Sequence, residues 1–145
     1  MMASATPLLE VQNLAITLQT QRGAVRAVHD LGFTLARGET VGLIGESGCG
    51  KSLTALALMG LLPDGASVRG SIRFDGQELL AMPDKTLCQL RGNRMAMVFQ
   101  EPMSALNPVH SIGRQVAEPL RLHQGLSARQ ARTQAMELLE RVGIA

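Results

Sequence analysis

Tryptophan and tyrosine are absent from the 145 residues, and phenylalanine occurs three times. With 2% aromatics and a formal net charge of +2, the chain offers neither a stacking platform for bases nor the basic field that nucleic acid requires. No nucleic-acid partner is expected. Cysteine is as scarce: Cys49 and Cys88 lack metal-ligand spacing and are expected to be reduced thiols. Long apolar runs are missing too, since Leu53 to Leu62, interrupted by Thr54 and Gly60, falls short of the ~20 residues that cross a bilayer. Met1 to Pro7 is small and polar, without the basic start and apolar core of a secretory leader, so a cytoplasmic chain is expected. The 46% apolar content and mean hydropathy of +0.11 support a packed globular core in one domain. No internal repeat or low-complexity tract is visible.

What the chain does have is glycine in a constrained pattern. Gly45 to Ser52 reads GESGCGKS and fits GxxxxGK[ST], the phosphate-binding P-loop. Gly45 and Gly50 are expected to allow turn conformations that a Cβ would obstruct, so that successive N–H groups along Glu46, Ser47, Gly48 and Cys49 point inward at phosphate oxygens. Lys51 adds a point charge for the β- and γ-phosphates, and the Ser52 hydroxyl is placed to ligate Mg²⁺. Both open a helix, continued by Leu53, whose free N–H groups and dipole favour anions. The context agrees: Thr40 to Ile44 is an apolar run suited to a strand buried in a parallel sheet, and Leu53 to Met59 reads as a buried helix ending near Gly60.

Upstream, Leu9, Val11, Leu14, Ile16 and Leu18 alternate with one break near Asn13, which predicts a strand or bulged strand pair. Gln21 to Gly23 reads as a turn, Val25 to Leu35 as a second and a third strand, and Arg37–Gly38 as a turn into the P-loop strand. Downstream, Gly70 to Phe74 predicts a strand, Asp75–Gly76 a hairpin turn, and Pro83 to Leu90 a short helix. Met95 to Phe99 is a second wholly apolar run, expected as another buried parallel strand. The last third is helical: Ser111 to His123 is interrupted or kinked by Pro119, and Ser127 to Gln130 is a capping box. It opens a helix with an apolar stripe of Ala131, Ala135, Leu138, Leu139 and Val142, closed by Gly143. Gln100 directly follows the run Met95 to Phe99, at a strand's carboxyl end, where open α/β sheets bind ligands. Its carbonyl oxygen can serve a metal or an attacking water, and its amide a phosphate.

GESGCGKS together with MAMVFQEPMSALNP, Met95 to Pro108, resembles the ATP-binding subunits of ABC transporters, within them the importers of peptides, oligopeptides, glutathione and nickel. Phe99, Gln100, Glu101, Pro102, Met103 and then Leu106, Asn107, Pro108 are similar to that family's Q-loop. The resemblance runs from Leu8–Val11 through Gly38–Thr40 to Leu138–Ile144. It implies an α/β chain with the P-loop NTPase fold of the ABC ATPase type: an N-terminal antiparallel β layer, a parallel sheet and the start of a helical subdomain. It also implies ATP and Mg²⁺ as cofactors, with Gln100 touching Mg²⁺ and the hydrolytic water. The partners implied are a membrane permease, a second nucleotide-binding domain and, indirectly, a solute-binding protein, at the cytoplasmic face of the inner membrane. A soluble ABC-type ATPase acting on nucleic acid or ribosomes, and a non-functional truncated product, are the alternatives.

Four elements of that family pattern are not found: an LSGGQ signature, a Walker B strand ending in Asp, a catalytic Glu and a switch His. Residues 1–145 are therefore expected to be a partial nucleotide-binding domain with weak nucleotide binding and little turnover. His29, His110 and His123 lie in the wrong contexts to supply the switch. The family also stacks an aromatic on adenine, but the phenylalanines are at 33, 74 and 99, so aliphatic contact from Leu18 or Val25 is the expected substitute, with Phe33 in the core.

Overall fold

The computed structural model describes residues 6–100 and 105–144, which divide into two compact units, Met1–Leu87 and Cys88–Ala145. The first unit is built on an antiparallel sheet. β1 (Leu9–Thr20) and β2 (Gly23–Leu35) form a long hairpin, β3 (Ser67–Phe74) pairs with the other edge of β1, and β4 (Gln77–Glu78) pairs with β3, giving the order β2-β1-β3-β4. Alternation along β1 buries Leu9, Val11, Leu14 and Ile16 on one face, where Val28, Ile72 and Phe74 join them. α1 (Lys51–Met59) follows the P-loop and buries Thr54, Ala57 and Met59. Its end is a Schellman turn: Gly60 has φ 63°, with Gly60 N–H to Ala57 O at 3.0 Å and Leu61 N–H to Leu56 O at 2.9 Å. The Asp75–Gly76 hairpin turn has positive φ at both residues, 51° and 79°, the backbone that matches strand twist. α2 (Asp84–Leu90) starts after Pro83 as the sequence suggests.

Where the sequence suggests two strands between Val25 and Leu35, β2 is continuous. The break there is a bulge: from Leu14↔Leu31 to Ile16↔Val28, β2 advances one residue more than β1, and Asp30 absorbs the irregularity with φ 47°. The break near Asn13 is likewise a bulge within one strand. Phe33 is half-buried rather than a core residue; the buried ring is Phe74.

The two apolar runs expected as parallel strands differ most from expectation. Neither Thr40–Ile44 nor Met95–Phe99 is in a strand, apart from the parallel bridge Arg91↔Met95, and Ile44 and Val98 are 96% and 94% exposed. A strand exists only as a member of a ladder. A five-residue apolar run has no backbone bonds of its own, so where it joins no ladder it forms no strand and leaves its side chains exposed. Among the described residues the ordered sheet is thus the antiparallel one.

The second unit contains α3 (Ile112–Gln124) and α4 (Ala128–Arg141). Ala117 and Leu120 meet Ala131 and Ala135, with Val116, Leu126 and Leu138 packed around them. Small residues on α4 let the helices approach closely. The capping box is formed, with Ser127 accepting from Gln130 N–H at 3.3 Å and Gln130 Oε1 accepting from Ser127 N–H at 3.1 Å. α3 continues through Pro119 rather than breaking there. Pro119 lies on the exposed face, where water can satisfy the carbonyl of Gln115 that loses its helical donor. Val142 is the C-cap, 72% exposed, and does not extend the apolar stripe.

Candidate functional site

Gly45–Ser52 joins the irregular segment after Gly38 to α1. Cys49 N–H donates to Glu46 O at 3.3 Å, closing a turn, and Gly50 takes φ 92°, ψ 5° as the N-cap of α1. A Cβ at Gly50 would lie 2.7 Å from Val28 Cγ2 and 2.8 Å from Ala27 O, so glycine is required there both by its backbone and by β2 beneath it. Gly45 is different from expectation. Its φ is not left-handed, and a Cβ there would meet Cys49 Sγ, the movable end of an exposed side chain, at 2.5 Å, so the position favours a small residue. Gly48 supplies the other left-handed position, φ 84°.

α1 starts without help from side chains: no side chain caps its N-terminus and no acidic residue occupies its first turn. Thr54, 2% exposed, donates to Gly50 O from N at 2.8 Å and from Oγ1 at 3.0 Å, fixing where the helix begins. The N–H groups of Lys51, Ser52 and Leu53, which precede the first helical bond, remain for an anion. Lys51 Nζ reaches back over the loop to Gly45 O at 2.7 Å and Glu46 O at 2.6 Å. Its third proton faces Cys49 Sγ at 3.4 Å, a weak acceptor that a phosphate oxygen displaces easily. The ammonium is thus held by two carbonyls with one donor to spare. Ser52 is exposed, with its hydroxyl in no hydrogen bond among the described residues, which suits a Mg²⁺ ligand.

The structure therefore brings together Gly45, Glu46, Ser47, Gly48, Cys49, Gly50, Lys51, Ser52 and Leu53 as one loop and helix start. Gln100 belongs to the second unit and is exposed. Glu101, Pro102 and Met103 of the Q-loop-like stretch lie outside the described residues. Ala27, Val28 and Thr54, which seat the loop, escape sequence reasoning because no motif marks them. Leu18 and Val25 are cross-strand partners near the tip of the β1–β2 hairpin, Val25 being 51% exposed. Among the described residues no cluster of three His, Cys, Asp or Glu could hold a metal, and no helix is long and apolar enough to cross a membrane.

A glycine-rich loop leading into a helix does not by itself fix the family; the chain as a whole does. Residues 28–145 match the family model described as ABC transporter. The chain belongs to the ABC transporter family. A Brucella abortus (strain 2308) protein named as a peptide import ATP-binding protein is 52% identical over 139 residues, 95% of this chain and 42% of that protein. The oligopeptide transport ATP-binding protein OppD of Salmonella typhimurium (strain LT2) is 47% identical over 138 residues, covering 95% and 41%. The chain thus spans about two fifths of the length of these relatives. Among solved structures, the dimeric ATP-binding cassette MJ0796 in a post-hydrolysis state bound to ADP and Pi superimposes with a TM-score of 0.73 at 23% identity, over 91% of this chain and 56% of that one. That likeness establishes the fold, an α/β cassette of the ABC ATPase type.

Proposed function

We propose that this chain is the phosphate-binding portion of the ATP-binding subunit of an importer for peptides or similar small solutes. The observation that carries the reading is the Lys51 ammonium, held over the loop by Gly45 O and Glu46 O beside an uncapped helix start. The N–H groups of Lys51, Ser52 and Leu53 face the β- and γ-phosphates of ATP, and the spare Lys51 proton pairs with a phosphate oxygen. Ser52 would be a ligand of Mg²⁺, which when bound would supply charge neutralisation at the phosphates. Gln100, by the family resemblance, would respond to the nucleotide and link its state to the membrane permease. The subunit works with a second nucleotide-binding domain and, indirectly, a solute-binding protein, peripheral to the cytoplasmic face of the inner membrane. The names of the peptide-import relatives support the solute class.

The test is peptide uptake into vesicles by the assembled transporter containing this chain. Uptake should require ATP and disappear with Lys51→Ala. ATP-independent uptake, or no uptake of any short peptide by a complex that hydrolyses ATP, would refute the reading.

A further inference from the structure

Residues 105–110 are all exposed, yet the turn from Asn107 to His110 is held at several points. Three of its bonds come from one side chain, Gln115 in α3. Gln115 Oε1 accepts from Asn107 N–H at 2.8 Å, while Nε2 donates to Asn107 O and His110 O, each at 2.9 Å. Around this centre, Asn107 Oδ1 accepts from Val109 N–H at 2.9 Å, and His110 N–H donates to Asn107 O at 3.2 Å. Ser111 caps α3 by accepting from Arg114 N–H at 3.3 Å. Apolar packing does not hold the turn, since Leu106 and Val109 are 47% and 82% exposed. An exposed loop lacking packing and bonds would absorb a displacement in its own φ and ψ.

We propose that Gln115 is a positioning residue that joins the turn after Gln100 to α3, so that turn and helix move as one body and transmit nucleotide state to the membrane subunits. The inference rests on the importer reading, in which Gln100 responds to the nucleotide. It extends that reading by assigning the transmission to a side chain remote in sequence from the P-loop. Substitution chemistry is specific. Leucine keeps the bulk and loses all three bonds. Glutamate keeps the acceptor for Asn107 N–H but turns a carboxylate oxygen toward two carbonyls, which is repulsive until that oxygen is protonated.

The experiment uses the assembled transporter in vesicles. It compares ATP affinity and turnover of the ATP-binding subunits alone with turnover stimulated by the membrane subunits. For Gln115→Leu, affinity and unstimulated turnover should stay within about twofold, while stimulation and uptake fall roughly tenfold, the scale of an ordinary coupling term. Amide exchange should accelerate at Asn107 and Val109 and not in the middle of α3. Gln115→Glu should lose stimulation at neutral pH and recover part of it, relative to wild type at the same pH, as the solution approaches pH ~5. Unchanged stimulation in Gln115→Leu, an equal fall in affinity and unstimulated turnover, or no recovery on acidification overturns the inference. A wild-type complex that hydrolyses ATP without any response to its membrane subunits overturns the importer reading itself, and this inference with it.

Discussion

Asn13 donates from Nδ2 to Asp30 Oδ1 at 2.8 Å across the β1–β2 pair, and both residues have positive φ, 50° and 47°. The bond ties together the two bulges that bend the hairpin. Gly70 on β3 forms a third irregular position beside them: its φ is 105°, and a Cβ there would meet Asn13 O and Gln12 O at 2.5 Å. The bend is thus continued from strand to strand, and β2 is the strand on which the start of α1 rests through Gly50.

Gly70→Ala should therefore destabilise the fold by about 2–4 kcal/mol, because strained backbone and collision with two carbonyls act together. Asn13→Ala, which loses the bond and the residue type that tolerates left-handed backbone, should cost about 1–2 kcal/mol. Urea unfolding midpoints check both, and an unchanged midpoint for Gly70→Ala would remove the role assigned to the bend.

Glu78 provides a pH signature. Burial raises its carboxyl pKa, but hydrogen bonds from Ser71 Oγ, Ile72 N–H and Leu80 N–H and the charge of Arg73 outweigh this and leave it below the ordinary carboxylate value. Ile72 N–H lies 3.0 Å and Leu80 N–H 3.1 Å from Oε1. Because the folded pKa is depressed, the stabilisation is fully present above the unfolded pKa and is lost as pH falls through the folded one. Glu78→Gln should flatten the acid limb of a stability–pH curve and cost roughly 1 kcal/mol at neutral pH. Parallel acid limbs in the two proteins would contradict this.

Cys49 is exposed and its Sγ stands 3.4 Å from Lys51 Nζ. A maleimide adduct there would fill the space over the loop. Labelling Cys49 should lower ATP affinity at least tenfold, ATP should slow the labelling, and labelling Cys88 should do neither. Unaltered affinity after complete Cys49 labelling would show that the loop has room for the adduct and the nucleotide together.

Base selectivity follows from the missing rings. Leu18 and Val25 are cross-strand partners near the hairpin tip, and in the proposed ATP-binding role they would take the place of the family's stacking aromatic. Aliphatic contact lacks the directional preference of stacked rings, so ATP and GTP should bind within about threefold of each other. A strong ATP preference in competition binding would show that another residue reads the base.

Local signals carried the reading of this chain furthest. The capping box at Ser127, the Asp75–Gly76 turn and the helix stop at Gly60 are each specified by a few neighbouring residues. The turn and helix start from Gly45 to Ser52 are legible for the same reason, although the left-handed positions fall at Gly48 and Gly50 and not at Gly45. Thr40–Ile44 and Met95–Phe99 are not legible in this way, because a parallel strand depends on neighbours distant in the chain. The single strand β2 was obscured by a bulge that only its pairing with β1 explains. The Gln115 bonds had no sequence signature at all, since an amide on a helix surface ordinarily faces water.

Direct binding of ATP to the chain, measured by calorimetry or a fluorescent analogue, tests the central claim that Gly45–Ser52 cradles a nucleotide's phosphates. Saturable one-to-one binding is predicted, competed by ADP and weakened at least tenfold, about 1.4 kcal/mol, by Lys51→Ala. Binding that is indifferent to the loss of the Lys51 ammonium, in a variant that remains folded, would contradict the account.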